Sequence, residues 1–182
     1  MSATPTPALQ PAGFLELIAT RRAVRTFLTT PVEAAKVDAV LRAANQAPSA
    51  GNMQCYEIYK VTGKKLRFDL ARAAREQLFL ANAPVILVFC ANPQRTEPRY
   101  GKRGRTLYPV QDATIACTHA MLAATALGLA TVWIGAFDPA MVRELIGAPR
   151  RQTPVAILPL AYAAERPEPK ERRALEDLVH EL

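Results

Sequence analysis

Histidine and cysteine, the side chains that most often carry out chemistry in enzymes, are few in this chain. It has two histidines, His119 and His180, and three cysteines that are far apart in the sequence. Cys117 and His119 are two positions apart in a predicted helix, so they point in different directions and do not suit a shared metal ion. No GxSxG motif accompanies either histidine, so a serine hydrolase is not favoured.

Nucleotide-binding motifs are missing as well. No GxGxxG follows a predicted strand, and Gly63-Lys64-Lys65 lacks the earlier glycine and the Ser/Thr of a Walker loop. The sequence therefore offers no obvious catalytic side chain. This pattern is typical of an enzyme whose cofactor carries the chemistry, while the protein supplies positioning and electrostatics.

The segment PSAGN at residues 48–52, here called the corner, lies between a predicted helix and a predicted strand. Gly51 can supply a positive φ, and Pro48 prevents the helix from continuing. The corner is therefore either an ordinary helix stop or a backbone-rich lip that contacts something flat.

The charge and the cysteines restrict the partners and the compartment. The formal net charge is +7, which favours acidic partners such as a phosphorylated ligand, nucleic acid or an anionic membrane. Cys55, Cys90 and Cys117 are odd in number and form no CxxC, so we predict reduced, mostly buried thiols and a cytoplasmic protein. Polar residues interrupt the longest apolar stretch, residues 113–137, which predicts a buried helix and strand rather than a membrane span.

Alternating helical and strand patterns predict one layered α+β (α/β) domain over residues 13–182, after a disordered tail at residues 1–12. The predicted strands are 55–62, 85–91, 130–137 and 154–162; the central apolar run VILVFCA marks a sheet centre, and Pro159 marks an edge or a bulge. The predicted helices cover residues 14–20, 33–46, 66–79, 112–127, 139–146 and an amphipathic C-terminal stretch. Asp112 is expected in the first turn of its helix.

Five short segments follow one another in a fixed order: RRAVR at 21–25, APSAGNMQ at 47–54, GLATVWIGAF at 128–137, PVAILPLAY at 154–162 and KER at 170–172. They resemble the motifs RRSxR, APSxxNxQ, GLGTxWIGAF, PVAxxPLGYP and KxR of the nitroreductase family of FMN-dependent oxidoreductases, in one of its short forms. The resemblance covers residues 14–180. One such motif alone is weak evidence, whereas five in register are strong.

The resemblance implies a mixed sheet flanked by helices, in an interlocked homodimer with two FMN molecules at the subunit interface. It assigns four cations to the FMN phosphate: Arg21, Arg22, Lys170 and Arg172. A phosphate favours guanidinium forks, and cations so far apart in sequence can converge only in a fold. Any one of these arginines taken alone would more simply belong to a solvated basic face.

The resemblance also assigns residues to the flavin ring. Arg25 occupies the position near N1 and O2, where a cation stabilises the negative charge gained when hydride arrives at N5. Gly135 and Ala136 match the strand end near N5 and O4, with a plain β-bulge as the alternative, and Gln77 matches a side chain at the pyrimidine edge. The corner would contact the flavin of the other subunit through Pro48, Ser49, Ala50 and Asn52.

Two departures and one basic segment qualify the resemblance. Ala23 stands where the family has a phosphate-binding Ser, which removes one hydrogen bond worth roughly 1 kcal/mol, and Ala161 replaces a Gly. The predicted loop at residues 94–105 carries five cations: Arg95, Arg99, Lys102, Arg103 and Arg105. It could clamp the phosphates of NADPH or an acidic substrate, form a mobile rim, or bind nucleic acid, for which a basic loop is weak evidence.

The implied function is an FMN-dependent NAD(P)H oxidoreductase with ping-pong kinetics that reduces small electron-poor acceptors such as nitroaromatics, quinones or flavins. Relatives that perform dehalogenation, dehydrogenation or flavin cleavage provide one alternative. A flavin-binding module without turnover is a second alternative, and a basic nucleic-acid-binding protein is a third.

Overall fold

The apolar run VILVFCA forms the central strand of the main sheet in the computed structural model, which describes residues 11–182. This strand, β3 (Val85–Ala91), is buried at all seven positions. It pairs antiparallel with β2 (Tyr56–Val61) on one side and with β4 (Thr153–Leu160) on the other. The predicted sheet centre is confirmed, and Pro159 lies on β4, an edge strand of this three-stranded sheet.

Helices cover both faces of the sheet. Within residues 11–182 they are α1 (Pro11–Thr20), α2 (Ala34–Asn45), α3 (Lys64–Ala73), α4 (Glu97–Thr106), α5 (Tyr108–Ala126) and α6 (Pro139–Leu145). Two short strands, β1 (Phe27–Leu28) and β5 (Tyr162–Ala163), form a separate antiparallel pair. The expected tail at residues 1–12 falls mostly outside the described residues, and α1 begins at Pro11.

Side chains of β3 alternate between two cores, as the period of a strand requires. Ile86, Val88 and Cys90 join the core that contains residues of α3 and α6. Leu87 and Phe89 join the core that contains residues of α2 and α5. The result is a three-layer α+β arrangement, as predicted.

Local sequence signals set several boundaries correctly. Gly128, at φ 74°, follows the end of α5, and the N–H of Leu129 donates to the carbonyl of Ala124 at 2.8 Å. Helix α6 begins at Pro139, where the carboxylate of Asp138 accepts hydrogen bonds from the N–H groups of the first turn. Both boundaries match the predictions.

The helix predicted over residues 66–79 is shorter than expected. Helix α3 ends at Ala73, because Arg75 and Glu76 take φ values of 56° and 57°, in the left-handed region. A 3₁₀ turn over Leu78–Asn82 follows. Gln77 therefore lies in a tight turn and not on a helix.

The predicted basic loop is also wrong as a loop, because most of it forms α4. This helix is kinked at Gly101, whose φ is 55°. Helix α5 begins at Tyr108, four residues before the expected start, and Pro109 occupies its first turn, where a missing N–H costs nothing. Asp112 is therefore inside the helix and 2% exposed, not in the first turn.

Two predicted elements did not form. Residues 130–137 make isolated bridges instead of a regular strand: Ala130 with Ala161, Thr131 with Ala23, and Ile134 with Ile157. The C-terminal stretch contains only a 3₁₀ turn, Leu175–Asp177. Its apolar residues are exposed, and a short helix with no packing surface is only marginally stable in water.

In the part of the chain that the structure describes, no helix combines the length and the apolar character that crossing a membrane would require.

Candidate functional site

Three arginines from opposite ends of the chain lie near one another. Arg21 and Arg22 follow the end of α1, and Arg172 comes from the C-terminal segment. The pKa of Arg21 is lowered first by burial and then by the positive charges of Arg172 and Arg22. We call Arg21, Arg22 and Arg172 the arginine cluster. Sequence reasoning assigned all three to one phosphate.

The arginine cluster has no acidic partner within residues 13–182, where the ion pairs involve other residues. Arg22 uses Nη1 to donate to the carbonyl oxygens of Ala19 at 2.6 Å and Arg21 at 3.0 Å, at the end of α1. Three neighbouring cations repel one another unless an anion joins them. Lys170, the fourth predicted cation, is exposed, and it is not among the charges that lower the pKa of Arg21.

The backbone beside the cluster is fixed by a carboxylate that sequence reasoning missed. Glu165 Oε1 accepts hydrogen bonds from the N–H groups of Arg25 at 2.8 Å and Thr26 at 3.0 Å. These bonds, that from Arg25 first, lower the pKa of Glu165. The Arg25 side chain itself is exposed, so a cation projects from a fixed stretch of backbone.

Gln77 and Ala136, which the sequence placed at the flavin ring, are in direct contact. Gln77 Nε2 donates to the carbonyl oxygens of Ala136 at 3.1 Å and Ala74 at 2.8 Å. The N–H of Asp138 donates to the carbonyl of Ala73 at 2.9 Å and joins the same two segments again. The strained turn before Gln77 is thus held against residues 136–138.

Gly135 and Ala136 are exposed. Among the described residues, their N–H groups find no hydrogen-bond acceptor. The N–H of Val24 donates to the carbonyl of Thr131 at 3.0 Å, which aligns the segment of Arg21 and Arg25 with residues 130–136. Arg21, Arg22 and Arg25 therefore lie on a segment that is paired with the segment of Gly135 and Ala136.

The corner lies elsewhere on the chain. It contacts α5 through Asp112, whose Oδ1 accepts from the N–H of Ala50 at 3.0 Å, and Ser49 Oγ accepts from the N–H of Gln54 at 3.0 Å. Gly51, Asn52 and Gln54 all have positive φ values. No hydrogen bond among the described residues joins the corner to the arginine cluster or to Gln77. Within one chain, the structure does not bring these two groups together.

The sequence also placed Asp112 wrongly, in the first turn of its helix instead of inside α5. Its Oδ2 accepts from the backbone N–H of Cys55 at 3.3 Å and from the thiol at 2.7 Å, so one carboxylate holds both the corner and the residue that precedes β2. The signal was present in the sequence, because a lone acid in an apolar helix needs buried donors.

The cysteines do not offer a nucleophile. Burial raises the pKa of the Cys55 and Cys90 thiols to about 12, and also raises that of Cys117. Only a thiolate is a good nucleophile, so these thiols are inert near neutral pH. Over the residues that the structure describes, no group of three potential metal ligands is assembled.

Comparisons with known proteins agree with this geometry. The Nitroreductase family model matches residues 18–82 and 70–162. The chain is 32% identical over 174 residues to the oxygen-insensitive NADPH nitroreductase of Salmonella typhimurium, spanning 92% of this chain and 72% of that protein. It is 30% identical to an NAD(P)H-dependent FMN reductase of Bacillus subtilis, over 88% of this chain and 70% of that one.

Solved structures give the same result. The NADPH:FMN oxidoreductase of Vibrio harveyi, complexed with NAD⁺, superposes with a TM-score of 0.85 at 29% identity, over 92% of this chain and 76% of that chain. A protein of Bacteroides thetaiotaomicron described as a putative NADH dehydrogenase/NAD(P)H nitroreductase gives 0.82 at 27% identity, over 93% and 96%. The resemblance carried by the five sequence motifs is confirmed, and the chain belongs to the nitroreductase family.

Proposed function

We propose that this chain is an FMN-dependent NAD(P)H oxidoreductase that reduces electron-poor acceptors such as nitroaromatics, quinones or flavins. The names of its relatives, an NADPH nitroreductase, an FMN reductase and an NADPH-flavin oxidoreductase, support this activity. The observation that carries the proposal is the arginine cluster, which has no acidic partner among residues 13–182, together with the exposed Gly135 and Ala136 on the segment paired with residues 23–24.

The residues present fit FMN. The arginine cluster would bind the phosphate, since Arg22 keeps Nε and Nη2 available while Nη1 bonds to helix α1. Lys170 would add a further charge from the flexible end of a long side chain. When bound, FMN supplies a ring that accepts hydride from NAD(P)H and passes electrons to an acceptor.

The protein's part at the ring is to orient it and stabilise its charge. Both hydrogens of Gln77 Nε2 are engaged, which leaves Oε1 to accept from the N3–H of the pyrimidine edge. The free N–H groups of Gly135 and Ala136 would donate near N5 and O4. The exposed guanidinium of Arg25 would stabilise negative charge at N1 and O2.

A homodimer forms part of the proposal. The corner can contribute Pro48, Ser49, Ala50 and Asn52 to the flavin site if it belongs to the other subunit, because within one chain it lies apart from the arginine cluster. Apolar side chains on α1 and in the C-terminal segment support a second copy as their cover: Phe14 is 54%, Leu15 63% and Leu175 70% exposed.

Two further expectations stay predictions. Residues 13–182 form a single domain, and three buried thiols without a disulfide suit a cytoplasmic location. Nucleic-acid binding is not favoured, because the arginine cluster is assigned to a single phosphate group and because the basic helix α4 is short.

The first experiment is an absorption spectrum of the desalted protein after addition of FMN, followed by anaerobic titration with NADPH and with NADH. Flavin bands that co-elute with a dimer and then bleach support the cofactor and the reaction class. Bound flavin that neither nicotinamide reduces would favour a binding module. Loss of the flavin spectrum itself under oxygen would favour flavin cleavage, and a colourless protein would contradict the proposal.

A further inference from the structure

The antiparallel pair of β1 and β5 ends in hydrogen bonds to a side chain. Opposed residues of two antiparallel strands can exchange both of their N–H···O bonds. In the continued register Thr26 lies opposite Ala164, and the N–H of Ala164 donates to Thr26 O at 2.9 Å. The N–H of Thr26, however, donates to Glu165 Oε1 at 3.0 Å, and the N–H of Arg25 donates to the same oxygen at 2.8 Å. The carboxylate of Glu165 therefore replaces a backbone acceptor where the pairing stops.

The residues on both sides of Arg25 and Thr26 are buried. The N–H of Val24 donates to Thr131 O at 3.0 Å. The ring of Phe27 packs against that of Phe79, with centroids 6.1 Å apart, and Phe79 belongs to the 3₁₀ turn that follows Gln77. The backbone of Arg25 is thus held at its own N–H and through its neighbours, and it shares this frame with the turn of Gln77.

The guanidinium of Arg25 is left free by this arrangement. In the part of the chain that the structure describes, it forms no ion pair, although Glu165 is an adjacent acid. The hydrogen bond from the Arg25 amide is the largest cause that lowers the pKa of Glu165, and the charge of Arg25 adds to it, so the two charges are near each other. Glu165 therefore uses its oxygen on the backbone and leaves the donors of the guanidinium available.

We propose that Glu165 is a positioning residue of the flavin site, and that it holds the backbone of Arg25 so that the guanidinium is oriented toward N1 and O2 of FMN before the flavin is reduced. This inference rests on the proposed function. A cation that is already oriented loses less conformational freedom when it stabilises a new charge than a mobile cation does. Ordering the backbone of one residue is enough to change an equilibrium roughly tenfold. In this role Glu165 acts through Arg25.

Two variants of Glu165 separate the acceptor from the charge. Glu165→Ala removes both, whereas Glu165→Gln keeps an acceptor oxygen and removes only the charge. We expect the ratio of the affinities for reduced and oxidised FMN to be roughly tenfold lower in Glu165→Ala than in Glu165→Gln. For a two-electron couple, this lowers the midpoint potential of bound FMN by about 30 mV. Glu165→Gln should have the potential of the wild type or a higher one, because it loses a negative charge and keeps the acceptor.

The potential is measured from absorption spectra against a reference dye, with a chemical reductant. Glu168→Ala is the matched control, because Glu168 is exposed on the same segment and forms no hydrogen bond or ion pair among the described residues. It should not lower the potential. Arg25→Ala should lower the potential by itself, and in that background Glu165→Ala and Glu165→Gln should give the same value. If the two still differ there as in the wild type, Glu165 does not act through Arg25 and the inference is overturned.

Hydrogen exchange in the flavin-free protein tests the hydrogen bonds of Glu165 without the cofactor. Exchange at the amides of Arg25 and Thr26 should accelerate in Glu165→Ala and not in Glu168→Ala, and unchanged exchange at both amides would overturn the inference. If exchange accelerates while Glu165→Ala and Glu165→Gln have equal potentials, Glu165 has a structural role only, so the inference fails and the proposed function stands. Bound FMN that neither nicotinamide reduces would overturn the proposed function, while the potentials still decide the inference. If the wild type binds no FMN, both are overturned.

Discussion

Replacing Asp112 by alanine should destabilise the protein through the corner. The carboxylate is 2% exposed and accepts from the N–H of Ala50 at 3.0 Å, the N–H of Cys55 at 3.3 Å and the Cys55 thiol at 2.7 Å. Asp112→Ala leaves the buried N–H of Cys55 and the half-buried N–H of Ala50 without an acceptor, and a buried donor left in this way costs about 1–3 kcal/mol. We therefore expect the free energy of unfolding to fall by about 3 kcal/mol.

Urea unfolding measures this loss, and for a chain of this size it corresponds to a melting temperature lower by roughly 6–12 °C. Asp38→Ala is the matched control, because Asp38 is an exposed aspartate on α2 without a hydrogen bond among the described residues. Hydrogen exchange at the amides of Ala50 and Cys55 should also accelerate in Asp112→Ala. A loss below about 1 kcal/mol, or unchanged exchange at both amides, would refute the reasoning that one carboxylate holds the corner.

Three more predictions concern charge, backbone and thiols. Arg172→Ala removes a cation that repels Arg21, so the flavin-free protein should unfold at the same or a higher temperature. Inorganic phosphate should stabilise this variant less than it stabilises the wild type. Equal stabilisation by phosphate in a thermal melt would contradict the arginine cluster. Gly51 has a φ of 57°, and the β-carbon introduced by Gly51→Ala collides with the hydroxyl of Tyr100. We therefore expect the free energy of unfolding to fall by about 1–3 kcal/mol and Tyr100→Phe to restore part of it, as a double-mutant cycle would measure. Burial raises the pKa of the Cys55 thiol to about 12, so its contribution to stability should be constant below about pH 8.5 and should be lost as the pH rises toward 12. Denaturant midpoints measure this loss, and a flat alkaline profile would contradict the burial of the thiol.

The sequence predicted those parts of the fold that depend on local signals. The run at β3 was long, apolar and rich in β-branched residues, so its central position followed from its composition. The end of α5 and the start of α6 followed from Gly128 and Pro139. These residues act through their own backbone preferences, which do not depend on the rest of the chain.

The errors occurred where tertiary contacts override local preference. Nothing near Gln77 predicts that Arg75 and Glu76 adopt left-handed φ values; the turn is held by contacts with residues 136–138, more than fifty positions away. The tail RALEDLVHEL has the spacing of an amphipathic helix, but its apolar side chains meet no surface in the described chain, so propensity alone did not form the helix.

In the candidate site too, the sequence predicted the groups that depend on residue type and did not predict those that depend on tertiary geometry. Its charged groups were found from motifs because guanidinium chemistry is tied to residue type, and Arg21 and Arg172 are near each other as the resemblance implied. Glu165 was missed because its importance comes from geometry, as one carboxylate that accepts from two consecutive amides. A glutamate is common on any surface, so only the placement of the two donors distinguishes Glu165 from the others.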